Sequence, residues 1–169
     1  MINDDELRKK FEQIIEQHKG ILYKVARTYC QNDDDRQDLV QEIMIQIWKS
    51  LHTYNNSFAL STWLFRISLN VAISFYRKNE HRKKNTIPLP EELEIMYVEE
   101  SNEKQEMLSL LDMFISELNH IDKALILLYL EEKSYAEIAE IMAISITNVG
   151  TKLGRIKEKL KSKFLKLHL

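Results

Sequence analysis

The side chains able to do chemistry in this chain of 169 residues are cations, amides and aromatic rings rather than nucleophiles or metal ligands. Its histidines, His18, His52, His81, His120 and His168, form no H-x-x-x-H pair, and Cys30 is the only cysteine. A metal site needs such clusters, so none is expected. There is no glycine-rich phosphate loop and no G-x-S-x-G turn, and solvated helix faces account for the carboxylates. The residues therefore predict no catalytic group and no cofactor. They do offer nucleic-acid chemistry. Between residues 58 and 84, Phe58, Trp63, Phe65, Phe75 and Tyr76 interleave with Arg66, Arg77, Lys78, Arg82, Lys83 and Lys84. Cations track phosphates while aromatic faces stack on unpaired bases, at about 1–3 kcal/mol per base. Asn70 adds an amide suited to a base edge. Against this stands the reading that the rings are simply core; two or three, Trp63 among them, are expected near the surface.

A second element spans Ser134 to Leu160. Ser134 and Glu137 make an S-x-x-E capping box at a helix start, and Tyr135, Ile138, Ala139 and Met142 follow at helical spacing. Ser145 caps a second helix, in which Ile146, Val149, Leu153, Ile156 and Leu160 form one apolar stripe. Its opposite face carries Thr147, Asn148, Thr151, Lys152 and Arg155, which suit base edges and phosphates. This is a helix-turn-helix pattern, whose second helix lies in the major groove; an ordinary helical hairpin with a basic face fits the same residues. A third set, Asp38, Gln41, Glu42 and Ile45, shares one face of a helix expected over 36–51. That mixture suits a protein partner or plain solvent.

These elements need helices to hold them. Only three Gly and two Pro interrupt the chain, and no strand-like alternation occurs, so an all-α fold is expected. With one cysteine, no internal disulfide can form, and a reduced compartment follows. Cys30 reads as a small buried thiol rather than a redox sensor. The polar start MINDDELRKK lacks the apolar core of a signal peptide, and no stretch approaches the roughly 20 apolar residues of a membrane span. A soluble cytoplasmic protein without membrane insertion is expected.

The net charge of −2 conceals its distribution. Residues 1–84 hold 14 Lys/Arg against 11 Asp/Glu, residues 85–107 hold one against seven, and residues 108–169 hold nine against eight. Within the last, 151–169 alone have seven basic residues and one acidic. Local patches matter more than the sum. The acidic stretch 85–107 contains both prolines and reads as a linker. Extended, it reaches up to about 75 Å, so the domains need not touch. The predicted organisation is a helical domain 1–84, a linker 85–107 and a helical domain 108–169. In the first, Gly20 is a candidate break. Leu39, Val40, Ile43, Ile47, Trp48 and Leu51 form the buried stripe of the helix 36–51, and a helix from Ser61 to Lys83 buries Leu64, Ile67, Val71 and Phe75. In the second, helices Met107–Leu118 and Ile121–Leu130 precede the helix-turn-helix.

Taken together, these segments resemble the extracytoplasmic-function (ECF) group of sigma-70 family sigma factors. DLVQEIMIQIW (38–48) resembles that family's D-x-x-Q-E-x-F-x-x-x-W helix. STWLFRISLNVAISFYRK (61–78) resembles its T-W-L-x-R-I-x-x-N element, and SYAEIAEIM and VGTKLGRIKEKL resemble its C-terminal elements, in the family's order. The resemblance implies two domains, a σ2 bundle and a σ4 helix-turn-helix, that direct promoter-specific initiation. It implies docking on the β′ clamp helices of core RNA polymerase through Asp38, Gln41 and Glu42, and a σ4 contact with the β flap. It implies opening of the −10 element with Trp63, Arg66 and Asn70, with the loop Tyr54–Thr62 near a flipped base and Arg77 and Lys78 on the backbone. Asn148, Thr151, Lys152 and Arg155 would read the −35 element, and an anti-sigma factor would hold the protein in check. The acidic linker would run through the polymerase's nucleic-acid channels.

Departures from the family pattern are Ser74 in place of Asp, Ala143 where the turn usually has Gly, and Gly150 and Gly154 at columns that often contact DNA. Thr147-Asn148 takes the columns of the usual G-T pair. Two other functions fit parts of the chain: a stand-alone helix-turn-helix regulator and a helical adaptor that binds only protein. Neither has a use for the aromatic-basic segment Trp63–Lys84.

Overall fold

The computed structural model describes residues 3–84 and 102–167, with residues 81–84 as backbone only. The described residues are helices joined by short turns, with no strand among them. Helix α1 (Asp4–Tyr29) passes through Gly20 without a break. The candidate break there is not realised, because an exposed glycine lowers helix stability by only about 1 kcal/mol and packing on both sides holds the helix. Helix α2 (Asp33–Ser50) begins under Asn32, whose Oδ1 accepts from the Asp35 amide at 2.8 Å. Three aspartates in its first turn complement the helix dipole. A 3-10 turn, Leu51–Thr53, leads into the loop before α3 (Leu60–Lys84).

The second half contains α4 (Glu103–Ser116), α5 (His120–Leu130), α6 (Tyr135–Met142) and α7 (Ile146–Leu167). Residues 103–107 of the expected linker thus form the first turn of α4. The part of that linker at 85–101 lies outside the described residues. Asn119 caps α5 by accepting from the amides of Ile121 and Asp122. At α6 the capping box is complete: Glu137 N–H donates to Ser134 Oγ at 3.1 Å, and Ser134 N–H donates to Glu137 Oε2 at 2.7 Å. That backbone hydrogen bond from Ser134 also holds the Glu137 carboxyl below its ordinary pKa.

One apolar core runs through both halves of the described structure. Leu22, Val25, Leu39, Ile43, Ile47, Leu51, Leu64 and Leu69 fill the part where α1, α2 and α3 pack on one another. Leu118, Leu125, Leu128, Ile138, Val149, Leu153 and Ile156 continue it through the second half. Two expectations change. Trp48 is 40% exposed, its ring set edge-on against Phe11 rather than enclosed. On α3 the buried positions are Thr62, Leu64, Phe65, Ser68, Leu69 and Ala72, while Ile67, Val71 and Phe75 are half-buried. The reason is tertiary: α3 is covered by α1 and α2 and also by α5 and α6 of the second domain. A single-stripe reading cannot anticipate a helix clasped from two sides.

The domains pack together. Tyr29 donates its hydroxyl hydrogen bond to the His120 carbonyl oxygen. Lys123 of α5 is 3% exposed, its ammonium 4.5 Å from the Tyr76 ring centroid and 5.7 Å from that of Tyr29. Burial, reinforced by Tyr76, raises the Tyr29 hydroxyl well above its ordinary pKa. At the rim, Lys24 pairs with Glu131 at 2.6 Å and Arg27 with Asp112 at 3.7 Å.

The turn between α6 and α7 places Ala143 in the left-handed region, φ 54° and ψ 45°, as the helix C-cap. The departure from glycine seen in the sequence therefore falls on a residue that carries backbone strain, about 1–2 kcal/mol for a residue with a Cβ. Ala143 is exposed, so its methyl contributes little packing. Ala143→Gly is expected to raise the stability of this protein by about 1 kcal/mol, read as a higher urea midpoint; a lower midpoint would refute the strain.

Candidate nucleic-acid and partner interfaces

The recognition surface on α7 is built by its own cap and stripe. Ser145 Oγ accepts from the Asn148 amide at 3.1 Å, starting the helix, and Val149, Leu153, Ile156 and Leu160 are buried beneath it. That burial fixes the rotation of the helix. Asn148, Thr151 and Arg155 are left exposed and Lys152 half-exposed on the outer side. Thr151 donates to the Thr147 carbonyl oxygen at 3.1 Å, which orients its hydroxyl. Ile146, expected in the stripe, is 55% exposed.

The two glycines of α7 differ. A Cβ at Gly154 would meet nothing within 4 Å, so this position is an open notch beside Arg155. A Cβ at Gly150 would lie 3.6 Å from the Tyr135 ring. Gly150 is therefore turned toward α6 and not toward the outer face, a correction to its expected place among DNA contacts.

On the first domain, Asp38, Gln41, Glu42 and Ile45 are all exposed along α2. They form one lip of a groove of about 610 Å³ whose other lip is Asn70 and Lys78 of α3, with Ile67, Val71 and Phe75 between. The candidates for partner docking and two of the candidates for DNA contact thus share one groove. Ser74 also lines it, so the residue that replaces the family's aspartate faces this space with a hydroxyl instead of a charge.

Trp63, Arg66 and Arg77 lie away from that groove. Trp63 is half-buried, its ring 4.8 Å from Tyr54 and tilted by 37°. Of the segment's other rings Phe65 is buried, and Phe58, Phe75 and Tyr76 are half-buried, so with Trp63 four rings are partly open where two or three were expected near the surface, and none is fully exposed. The Arg66 guanidinium sits 5.0 Å from the centroid of Phe58. Arg77 is exposed, with Nη2 3.2 Å from His120 Nε2 of the second domain. Sequence reasoning missed His120, because a contact between residues 43 positions apart leaves no periodic trace. The side chains of Arg82, Lys83 and Lys84 lie outside the described residues.

Cys30 is buried, and burial, with the negative charge of Asp35 adding, pushes its thiol up to about 11. The thiolate is the reactive form, so this is a structural cysteine. Among the described residues no group of His, Cys, Asp and Glu has the makings of a metal site, and no helix is long and apolar enough to cross a membrane.

Two family models match the chain: Sigma-70 region 2 over residues 14–82, and Sigma-70 region 4 over residues 108–160. The chain is 31% identical over 144 residues to the RNA polymerase sigma factor SigV of Bacillus subtilis, covering 83% of this chain and 82% of that protein. It is 29% identical over 154 residues to the ECF RNA polymerase sigma factor SigM of the same organism, covering 89% and 93%. Among solved structures it is similar to the sigma factor RpoE of Bartonella quintana, in complex with the anti-sigma factor NepR. That likeness has a TM-score of 0.67 at 21% identity, and covers 91% of this chain and 96% of the other.

Proposed function

The chain belongs to the sigma-70 family as an ECF RNA polymerase sigma factor, and from that membership we propose how its surfaces share the work of transcription initiation. Asp38, Gln41 and Glu42 dock on the β′ clamp helices of core polymerase, and the second domain meets the β flap. Trp63, Arg66 and Asn70 capture the −10 element, with Arg77 and Lys78 on its backbone. Asn148, Thr151, Lys152 and Arg155 read the −35 element in the major groove. The part of the acidic stretch that precedes α4 threads the polymerase's nucleic-acid channels.

The observation that supports this best is the pair of separate surfaces: a capped, outward α7 face and an aromatic-cation cluster on another domain. Short polar side chains near a helix N-terminus reach base edges, while the dipole meets phosphates. Strand opening costs a few kcal/mol per unstacked step, which rings and amides offset. A stand-alone regulator would need the first surface alone, and the match to region 2 disfavours it. Sigma factors are not, as a family, enzymes, and this one is read as having no catalytic site and no cofactor. It acts in the cytoplasm, where the polymerase is, and an anti-sigma partner is inferred from relatives such as RpoE, solved with NepR.

The closed packing bears on mechanism. Elements named for positions −10 and −35 lie about 25 base pairs apart, or about 85 Å of B-DNA at 3.4 Å per pair. Helices α3 and α6 touch in this structure, so both elements are read only after the domains part. Polymerase, offering a separate seat to each domain, supplies that separation. Core polymerase on fragmented genomic DNA, with and without the protein, tests the reading: discrete new promoter-specific transcripts are expected with it, and identical transcript patterns would end it.

A further inference from the structure

The loop between the 3-10 turn and α3 is built more tightly than its sequence, YNNSFA, requires for a connection. Tyr54 spans it: its hydroxyl donates to the Phe58 carbonyl oxygen at 2.9 Å, and its amide donates to the Leu51 carbonyl oxygen at 3.2 Å. Inside that span Asn55 Oδ1 accepts from both the amide and the hydroxyl of Ser57, and Asn56 sits at φ 59°. Asparagine tolerates that left-handed conformation better than most residues. The loop therefore holds one shape. Above it the Tyr54 ring lies 4.8 Å from Trp63, and Phe58, anchored through its carbonyl to Tyr54, carries Arg66 over its ring.

We propose that Tyr54 is a positioning residue for strand opening: it fixes the indole of Trp63 with its ring, and sets Phe58, and with it Arg66, through its hydroxyl. The proposal rests on the assignment of Trp63 and Arg66 to the −10 element. A platform for an extruded base must be rigid before the base arrives, because ordering a side chain at that moment subtracts from the binding. Trp63 is only half-buried and core packing does not fully hold it, so the tyrosine ring supplies the missing wall. Lys10 of α1, with its ammonium 5.8 Å from the Tyr54 centroid, sets a cation beside the aromatic pair, where an adjoining phosphate would be met.

The test uses holoenzyme and a promoter fragment recovered from the genomic transcription assay, with opening read by permanganate attack on unpaired thymines. Tyr54→Ala is expected to lower opening about tenfold, the scale of one lost base-stacking interaction, with affinity for core polymerase unchanged. Tyr54→Phe keeps the ring and is expected to lose about threefold or less. The combined Tyr54→Ala, Trp63→Ala protein should open no more than about threefold worse than Trp63→Ala alone, since only the hydroxyl route through Phe58 is left to lose. Wild-type opening by Tyr54→Ala while Trp63→Ala is defective overturns the positioning role alone, as does a double variant whose losses multiply. Wild-type opening by Trp63→Ala overturns the assignment of Trp63 and the role of Tyr54 with it.

Discussion

Lys123→Glu is expected to part the two domains of the free protein while leaving each folded. The ammonium of Lys123 lies almost wholly out of water, against the faces of Tyr29 and Tyr76. A desolvated cation over an aromatic face is worth about 2 kcal/mol. A carboxylate in the same place meets the negative faces of both rings and stays buried, a change on the order of 3–5 kcal/mol. Beside this cage, α3 packs on α5 and α6 and Tyr29 bonds to the His120 carbonyl oxygen, so the variant shifts the free protein toward separation against those contacts. The Lys24–Glu131 and Arg27–Asp112 pairs are partly or largely exposed, and exposed pairs contribute about 0–1 kcal/mol. Small-angle scattering reads the outcome. A compact body of this length has a radius of gyration of about 15 Å, and separated domains should give about 20 Å or more. Helix content by circular dichroism should stay constant. A variant as compact as the parent would show that the lysine cage does not hold the domains together.

The second large effect is expected at the polymerase. Asp38→Ala with Gln41→Ala should weaken core binding by about tenfold to a hundredfold, the range for truncating two anchors of an interface. Both side chains are exposed on α2, outside the buried stripe of Leu39, Val40, Ile43 and Ile47. Thermal unfolding should therefore be unchanged. Affinity for core polymerase, measured by anisotropy of a labelled protein, decides the matter, and an unaltered value would remove this docking site. Because Asn70 and Lys78 form the opposite lip of the same groove, the double variant should also be tested for strand opening on polymerase at saturation. A protein that docks poorly but opens normally once docked is the expected pattern.

Much of this was legible in the sequence wherever the determining interactions are local. The capping box at Ser134, the cap at Ser145 and the stripe through Val149, Leu153, Ile156 and Leu160 involve residues within a turn or two of each other. Their periodicity therefore survives translation into structure. The exposed faces of Asp38–Ile45 and Asn148–Arg155 follow from the same periodicity, as the complements of buried stripes. What was not legible is everything that crosses between domains. Lys123 sits in HIDKALILLYL, where a lysine normally marks the wet side of a helix. Only Tyr29 of α1 and Tyr76 of α3, 94 and 47 positions earlier, turn it inward. The same crossing contacts shifted the buried face of α3 to Phe65, Ser68 and Ala72, and drew His120 against Arg77. The seating of Gly150 under Tyr135 was hidden for a related reason: helix spacing assigns a position to a face, but the neighbour's side chain decides what covers it.

If the cage around Lys123 holds the free protein closed, it also sets how much protein a cell must hold before transcription responds. A partner that binds only the separated form sees its affinity reduced by the fraction of molecules in that form. If one molecule in about a hundred is separated, polymerase requires about a hundredfold more of the factor for equal occupancy. Loosening the cage by a single ring contact would move the threshold without altering any residue that touches polymerase or promoter. Gene dosage and the strength of an internal lysine contact would then be interchangeable ways of tuning one response.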